Sequence, residues 1–316
     1  MNLKALHISK FTTAYRYLLF ALCLTVLVWS LKDTNIQELS SMLSQFSFDR
    51  HLLLFSSILI LAFFNWTVEL FKWKVLLRRV NTYPIKTVIL SLLNGVSAAF
   101  VTPGRTGDVF ARAINLRKED RGKAVTAMIL SSGIQLSVTL LLGVISVFLL
   151  RNALVGLSFS AVQYSTILMI VFGIVALGLG LFLLITKQRV FKKIKTAVRF
   201  ARTYSRSELG TVIFLSTFRY SIFVFQFYLA LVMFGIDLSL IQGMGLISVI
   251  YLLTFILPSS FLGELGIRET FAVFVLSPFS ESVYPIIFGS LLIWCINLAL
   301  PALLASATLS LAKSST

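Results

Sequence analysis

Apolar segments long enough to cross a bilayer dominate this chain of 316 residues. A transmembrane helix needs about 17–25 such residues. The segments that meet this length are Tyr15–Leu31, His51–Phe71, Lys123–Leu150, Val162–Thr186, Leu209–Phe234 and Tyr284–Leu311. Hydrophobic residues make up 58% of the sequence, which is more apolar surface than a soluble domain of this size could bury. We therefore predict an all-α polytopic membrane protein with six full spans.

Positive charge is unevenly distributed along the chain, whose formal net charge is +16. Lysine and arginine concentrate between the apolar runs, in residues 72–86, in residues 117–123 and in the tract Lys187–Arg206. This distribution follows the positive-inside rule and argues against a nucleic-acid-binding protein. We predict that these segments and both termini lie in the cytoplasm, and that Lys187–Arg206 rests on anionic lipid headgroups.

Two further apolar regions, Thr87–Leu116 and Leu240–Leu276, are interrupted by proline and glycine. Because basic clusters flank the first region on both sides, it must enter and leave the membrane on the same face. We therefore predict that it is a re-entrant helical hairpin, and that the second region is a hairpin entering from the external face. The residues expected at the helix breaks are Pro103, Gly104, Gly107, Pro258, Gly263 and Gly266.

The order of these segments predicts an inverted-topology repeat within a single membrane domain. Residues 1–150 and 162–316 each contain three full spans and one hairpin, and an external loop, 151–161, joins them. An odd number of crossings gives the two halves opposite orientations, so the hairpin tips would approach each other near the midplane. The alternative is that each hairpin is two ordinary thin spans, which gives a similar number of membrane segments but no paired tips.

Charged residues accompany both breaks. They are Arg105, Asp108 and Arg112 in the first region, and Glu264, Arg268 and Glu269 in the second. Charges are costly in hydrocarbon and often mark functional sites. The arginines could bind phosphate oxygens bidentately, with the carboxylates orienting them or carrying coupling protons. The alternative is that the i,i+4 pairs, Asp108 with Arg112 and Glu264 with Arg268, are internal salt bridges that only neutralise charge.

Arg219 is a separate signal. It lies about ten residues into its span, which places it about 15 Å deep at 1.5 Å per residue. A side chain at that depth cannot easily reach the headgroups, so it needs an internal partner. The candidate partners are Glu264, Glu269, Asp108 and a substrate phosphate.

The remaining polar residues predict structure rather than chemistry. Asn65, Asn94, Gln135, Gln226 and Asn297 are expected to form interhelical hydrogen bonds rather than to bind a ligand. Glu69 lies near the cytoplasmic end of its span and is expected to pair with Lys72 or with the interface neighbourhood of Trp73. The cysteines and histidines (Cys23, Cys295, His7 and His51) are isolated, so the sequence predicts no metal site and no cofactor. Motifs of common enzymes, such as a P-loop or a nucleophile elbow, are absent, and we do not expect an enzyme.

Both broken segments resemble signatures of a known family. The stretch Thr102–Asp108 (TPGRTGD), followed by Arg112, resembles the first signature of the lysylphosphatidylglycerol synthase transmembrane (flippase-like) family. The stretch Gly263–Glu269 (GELGIRE) is similar to the second signature, which is usually GGLGVRE. This chain departs from the pattern at Asp108, where Glu is usual, and at Glu264, where Gly is usual. Larger members carry a C-terminal aminoacyl transferase, which this sequence lacks, so we expect a stand-alone membrane domain without aminoacyl-lipid synthesis.

The resemblance implies that the protein moves a phospholipid, or a lipid-linked anionic precursor, across the bacterial inner membrane through a polar midplane cavity. The residues expected to bind phosphate are Arg105, Arg112, Arg219 and Arg268. The residues expected to orient them or to carry protons are Asp108, Glu264 and Glu269. Two alternatives stay open: a membrane-embedded enzyme or accessory subunit acting on lipid-linked sugars, and a scaffold that recruits a partner through Lys187–Arg206.

Overall fold

The computed structural model describes residues 48–102, 105–150, 195–196, 198–256, 261–280 and 282–314. Within these ranges the chain is helical and forms no β-strand. The α-helices that position the site are α1 (Phe48–Leu77), α2 (Ile85–Val101), α3 (Thr106–Ala111), α4 (Arg121–Leu149), α5 (Arg206–Met233), α6 (Leu240–Ile256), α7 (Phe261–Leu276), α8 (Tyr284–Trp294) and α9 (Leu300–Ser314). The all-α class predicted from the sequence is therefore confirmed for the described part of the chain.

Long apolar helices account for the predicted spans that the structure describes. The stretches long and apolar enough to cross a membrane are His51–Leu77, Lys118–Leu149, Arg206–Met233 and Tyr284–Leu309. They overlap four of the six predicted spans. The other two, Tyr15–Leu31 and Val162–Thr186, lie outside the described residues, so the count of six stays a prediction.

Helices α1 and α5 pack side by side in opposite directions. Near the end of α1, the Tyr204 hydroxyl just before α5 donates a hydrogen bond to the Leu76 carbonyl at 2.6 Å. Toward the other end, the Gln226 amide of α5 donates to the Ile58 carbonyl of α1 at 2.8 Å. These two contacts, one near each end, hold the pair in antiparallel register along its length.

The start of α5 follows from a local sequence signal. Ser205 accepts a hydrogen bond from the Glu208 backbone N–H at 3.2 Å, and the Glu208 carboxylate accepts one from the Ser205 N–H at 2.7 Å. This is a capping box, which satisfies two backbone donors that the first helical turn leaves unpaired. Glu208 also pairs with Arg79, which follows α1, so the box is tied to the neighbouring helix.

The loops at this end of the bundle are held together by polar contacts. Asp120 accepts hydrogen bonds from the Asn81 amide at 2.9 Å and from the Tyr83 hydroxyl at 2.6 Å. Burial, together with the bond to Asp120, raises the pKa of the Tyr83 hydroxyl. We call this end, formed by residues 77–84, 113–121 and 202–208, the basic end. It joins the ends of segments that the charge distribution assigned to one side of the membrane.

The region from Ile85 to Leu116 is a helical hairpin. Helix α2 ends at an extended Thr102, and Arg105 adopts a left-handed conformation (φ 54°) before α3 begins. The chain then returns along α2, because the Ser91 hydroxyl donates to the Arg112 carbonyl at 2.5 Å. Near the start of α2, the Tyr83 hydroxyl accepts from the Arg117 N–H at 3.3 Å, so both ends of the region lie at the basic end.

Helices α6 and α7 form the counterpart at the opposite end. Helix α6 begins beside the end of α5, where the Tyr228 hydroxyl donates to the Leu238 carbonyl at 3.0 Å. Helix α7 packs against both α6 and α8. The first turns of α8 in turn lie beside the end of α5, with the Phe234 and Phe288 rings 5.9 Å apart. Helix α6 therefore begins at the end of the bundle opposite the basic end, while the inverted-topology repeat stays a prediction.

Three glycines predicted at the breaks lie inside helices instead: Gly107 in α3, and Gly263 and Gly266 in α7. For Gly107 the reason is close packing, since a Cβ there would lie 2.5 Å from Thr102 Oγ1 and 2.7 Å from the Ala98 carbonyl oxygen. A missing side chain thus allows the hairpin limbs to approach, without ending the helix. The other predicted break residues, Pro103, Gly104 and Pro258, lie outside the described residues.

A π-helical turn, Cys295–Ala299, interrupts the last long helix between α8 and α9. Pro301 follows it, and proline has no N–H and clashes with the carbonyl four residues earlier. That carbonyl belongs to Asn297. The wider turn relieves the clash without ending the helix, and it carries Asn297 into the site described below.

Candidate functional site

Glu69 lies at the centre of a buried network of charges. Asn65, Glu69 and Lys72 follow one another at spacings of four and three residues, which places them on the same face of α1. One oxygen of Glu69, Oε2, lies 2.8 Å from Lys72 Nζ, and both side chains are at most 3% exposed. The predicted pairing of these two residues is confirmed. Lys72 is further held by the Gln135 amide oxygen at 3.4 Å.

The hairpin contributes the second cation. Arg112 Nη1 lies 2.9 Å from the other Glu69 oxygen, Oε1. Asp108, one turn earlier, binds the same guanidinium with both oxygens, at 2.6 Å to Nε and 3.0 Å to Nη2. This is the i,i+4 pair predicted from the sequence. Arg112 also lies over the Trp73 ring, with its guanidinium carbon 5.5 Å from the ring centre.

A glycine makes this approach possible. Gly95 of α2 faces the pair, and a Cβ there would lie 2.2 Å from Asp108 Oδ1 and 2.6 Å from Arg112 Cγ. Real Cβ atoms do not approach other atoms so closely, so any other residue at position 95 would push the ion pair away. The Asp108–Arg112 pair therefore depends on a small residue in a different limb of the hairpin.

Arg219 of α5 is the third cation. Its Nη1 lies 3.1 Å from Glu69 Oε2, and its Nε donates to the Asn65 amide oxygen at 2.8 Å. Its guanidinium carbon lies 5.9 Å from the centre of the Trp66 ring. At 1.5 Å per residue, Arg219 is about 20 Å from the start of α5, near the middle of that helix. Unlike its partners, it stays 24% exposed. We call Glu69, Lys72, Asp108, Arg112 and Arg219 the Glu69 cluster.

The partner of Arg219 differs from most of those expected. The sequence offered Glu264, Glu269 and Asp108, whereas the structure pairs Arg219 with Glu69. Glu269 pairs with Arg268 instead, and the Glu264 side chain lies outside the described residues. Asp108 belongs to the same cluster, joined to Arg219 through the shared partners Arg112 and Glu69. Distance along the sequence was misleading, because α1 lies beside α5 in space.

Amide side chains extend the cluster across the bundle. Asn65 donates to the Asn297 amide oxygen at 3.4 Å, and Asn297 donates to Gln226 at 2.9 Å. Gln135 of α4 donates to the Ser216 carbonyl of α5 at 3.3 Å. The predicted interhelical hydrogen bonds are thus confirmed for Asn65, Gln135, Gln226 and Asn297, whereas the structure gives none for Asn94 among the described residues. Through them, α4, α5 and the π-turn all fix the position of α1.

Arg105 lies beside the cluster without joining its ion pairs. Its charge is near enough to repel that of Arg219, and so is the charge of Arg112. Within the described part of the chain no carboxylate lies within ion-pair distance of Arg105, and its side chain is partly exposed. Four positive side chains therefore face two carboxylates, which leaves an excess of two positive charges.

The second charged set forms its own cluster between α7 and α8. Arg268 Nη2 lies 2.7 Å from Glu269 Oε1, and its Nε donates to the Ser290 hydroxyl at 3.0 Å. Ser290 in turn donates to Glu269 at 3.0 Å. All three residues are buried. The ion pairs described for this cluster join Arg268 to Glu269 and not to the Glu69 cluster.

Glu69 and Lys72 are the site residues that sequence reasoning undervalued. Their depth was judged from the distance to the end of the predicted span at Phe71, whereas α1 continues to Leu77. The available signal was the face shared by Asn65, Glu69 and Lys72 within an apolar run. Among the described residues, no group of three or more His, Cys, Asp or Glu side chains could hold a metal ion.

Comparison with known families bears on the whole chain. The profile of a family described as the lysylphosphatidylglycerol synthase TM region matches residues 14–305. The chain belongs to this family. No curated protein and no solved structure matches it. The match includes both broken segments and all five residues of the Glu69 cluster.

Membership of the lysylphosphatidylglycerol synthase TM family, together with the apolar helices, makes this a multi-pass membrane protein connected with lipids. The matched part is the membrane region that the family's description names. The Glu69 cluster is therefore a set of charges inside a membrane domain, where each charge must be compensated by a partner or by a ligand.

Proposed function

We propose that this protein translocates an anionic lipid, a phospholipid or a lipid-linked anionic precursor, between the leaflets of a bacterial inner membrane. The excess of positive charge beside the Glu69 cluster carries this proposal. Uncompensated charge is expensive in hydrocarbon, and an anionic headgroup would supply the missing negative charge. Arginine suits phosphate because its planar guanidinium can donate two parallel hydrogen bonds.

The arrangement of the cations gives the headgroup a place to bind. Arg112 and Lys72 are buried and form ion pairs with carboxylates. They would therefore contribute positive electrostatic potential to the site without contacting the ligand. Arg219 is partly exposed, and Arg105 has no carboxylate partner in the described ranges. These two side chains would receive the phosphate, while the acyl chains stay in the lipid outside.

The two hairpins would bring this site to the membrane interior. In the proposed arrangement the Ile85–Leu116 hairpin enters from the cytoplasmic face and the α6–α7 hairpin from the external face. The basic end then lies in the cytoplasm together with both termini, and the tract Lys187–Arg206 lies against anionic headgroups. Opposed hairpins would let the cavity open to either side in turn. At the second hairpin, Arg268 would bind phosphate. The carboxylates Asp108, Glu264 and Glu269 would orient the arginines or carry protons.

Reconstitution with a leaflet-specific readout tests the proposal. Purified protein is placed in liposomes that contain a fluorescent anionic phospholipid, and a membrane-impermeant reductant quenches the outer leaflet. We expect quenching beyond the outer-leaflet fraction with the wild type. Arg219→Gln should slow this phase about 10-fold or more, because a charge-assisted hydrogen bond contributes about 1.5–3 kcal/mol. Arg117→Gln, at an exposed position of the basic end, serves as the matched control.

The same liposomes separate the alternatives. An enzyme acting on lipid-linked sugars would alter the lipid itself, which chromatography of the extracted lipids would reveal. A scaffold would tolerate Arg219→Gln but lose its partner when Lys187–Arg206 is neutralised. Quenching no greater than in protein-free liposomes, for every anionic lipid tried, would refute translocation.

A further inference from the structure

The charge balance of the site indicates how many negative charges its ligand carries, in addition to the sign of that charge. Lys72, Arg112 and Arg219 meet at Glu69, and Asp108 neutralises only Arg112. Adding Arg105 brings the total to four positive and two negative side chains among the described residues. The interior of a membrane domain disfavours net charge of either sign. The ligand that balances this site best carries two negative charges.

Two of the four cations keep donors that are not taken up by carboxylates. Both oxygens of Asp108 are occupied by Arg112, whose remaining Nη1 binds Glu69. Arg219 shares one oxygen of Glu69 with Lys72 and is the most exposed cation of the cluster. Arg105 makes no ion pair within the described ranges. Arg219 Nη2 and the Arg105 guanidinium therefore remain to donate charge-assisted hydrogen bonds to phosphate oxygens.

Arg105 has an unusual backbone conformation. Among the described non-glycine residues, Arg105 is the one with a positive φ, 54°. This backbone conformation is uncommon for residues other than Gly, Asn, Asp and His. Its N–H donates to the Thr102 carbonyl at 3.1 Å, and the Thr102 hydroxyl accepts from the Gly107 N–H at 2.8 Å. The backbone on either side of Arg105 is thus held by hydrogen bonds to Thr102. Strained backbone of this kind often occurs at ligand sites.

Resting on the proposed function, we infer that the site selects a headgroup with two negative charges on phosphate, such as a phosphomonoester or a diphosphate. A phosphomonoester carries about −1.5 to −2 at neutral pH. A phosphodiester such as phosphatidylglycerol carries one negative charge and would leave one cation uncompensated. A lysylated headgroup carries a net positive charge and would add to the excess.

The test compares lipids of different charge in the same liposomes. Translocation is measured for fluorescent phosphatidate (phosphomonoester), phosphatidylglycerol (phosphodiester), phosphatidylethanolamine (zwitterion) and lysyl-phosphatidylglycerol (cation). We expect phosphatidate to move about tenfold faster than phosphatidylglycerol, which corresponds to one additional charge-assisted hydrogen bond. The zwitterionic and cationic lipids should move no faster than in protein-free liposomes.

A variant that removes one positive charge tests whether the excess of two charges sets the lipid preference. Arg105→Gln lowers the positive excess from two to one, so the preference for phosphatidate over phosphatidylglycerol should fall toward equality. Because Arg105 holds no carboxylate, the variant should keep the melting temperature of the wild type. Arg117→Gln removes one positive charge outside the site and should leave the preference unchanged.

The outcomes distinguish this inference from the proposed function. If no lipid moves, translocation is refuted. If phosphatidylglycerol moves as fast as phosphatidate in the wild type, or if Arg105→Gln leaves the preference intact, the two-charge requirement is refuted while translocation stands. A last arm measures release of encapsulated inorganic phosphate. Release that depends on Arg105 would make the free dianion the cargo, which keeps the charge requirement and refutes the lipid as substrate.

Discussion

At the residue scale, the properties of the site follow from one buried carboxylate shared by three cations. Glu69 contacts Lys72, Arg112 and Arg219, and these side chains come from three separate parts of the sequence. A buried pair contributes little net stability when complete, but removing one partner leaves an unpaired charge. Loss of the Glu69 carboxylate should therefore destabilise the protein more than loss of any one of the three cations.

Glu69→Gln should lower the free energy of unfolding by about 3–5 kcal/mol, because it leaves buried cations without their shared counter-charge. Thermal unfolding of the detergent-solubilised protein, followed by tryptophan fluorescence, measures the effect. The exposed Glu119→Gln is the control and should unfold like the wild type. Arg219→Leu should cost less than Glu69→Gln, since Glu69 then keeps two partners; the reverse order would show that Glu69 is not the hub.

Gly95→Ala tests the space beside the Asp108–Arg112 pair. The new methyl group would overlap Asp108 Oδ1, so translocation should fall at least as far as in Arg219→Gln, and the melting temperature should drop. Gly133→Ala is the matched control in α4, where a Cβ would meet nothing within 4 Å. There alanine should be neutral or stabilising by up to about 1 kcal/mol. Equal behaviour of the two variants would contradict the packing described here.

At the element scale, the broken helices decide where the charges lie. The Ile85–Leu116 hairpin brings Arg112 back beside Glu69 of α1. A straight helix would have carried it to the far end of the bundle. The π-turn before Pro301 does the same for Asn297, which reaches both Asn65 and Gln226. Helix interruptions thus place polar groups where regular helices could not.

Cysteine labelling tests the hairpin as an element. In a background with both cysteines, Cys23 and Cys295, replaced by serine, single cysteines at positions 86 and 117 should react with an impermeant maleimide from the cytoplasmic side. A cysteine at position 237, beyond the far end of α5, should react from the external side. Labelling of positions 86 and 117 from opposite sides would show that the region crosses the membrane once.

At the scale of the whole molecule, the two halves of the chain interlock. Helix α2 of the first half packs against α9 of the second, and the hydroxyls of Ser97 and Ser306 lie 2.7 Å apart. Helix α1 packs against α5 in the same way. Arg219 joins the Glu69 cluster through the second of these contacts, between α1 and α5.

An engineered disulfide measures this arrangement in membranes. The double variant Ser97→Cys and Ser306→Cys, in the cysteine-free background, should cross-link with mild oxidant. The product is detected as two fragments that stay joined, until reduction, after cleavage at a protease site inserted in the 151–161 segment. The pair Ser97→Cys and Thr308→Cys is the control, because residue 308 points to a different side of α9. Efficient cross-linking of the control, without that of the first pair, would contradict the packing of α2 on α9.

The sequence alone determined that this is an all-α, multi-pass membrane protein and where several of its helices lie. Run lengths predicted the long helices, and Leu240–Leu276 was delimited at the residues where α6 begins and α7 ends. Basic loops predicted that residues 86 and 117 lie together. These properties follow from hydrophobicity, charge and helix breakers, which act locally along the chain.

Only the tertiary structure decided that Arg112 and Arg219 both meet Glu69. Arg219 and Glu69 are 150 residues apart in the chain, and no local signal relates them. Their pairing depends on α1 and α5 lying antiparallel, and the pairing of Arg112 with Glu69 depends on Gly95 leaving room for Asp108 and Arg112. Ion pairing in a membrane interior is decided by proximity in space, because every buried charge takes the nearest opposite charge that packing allows.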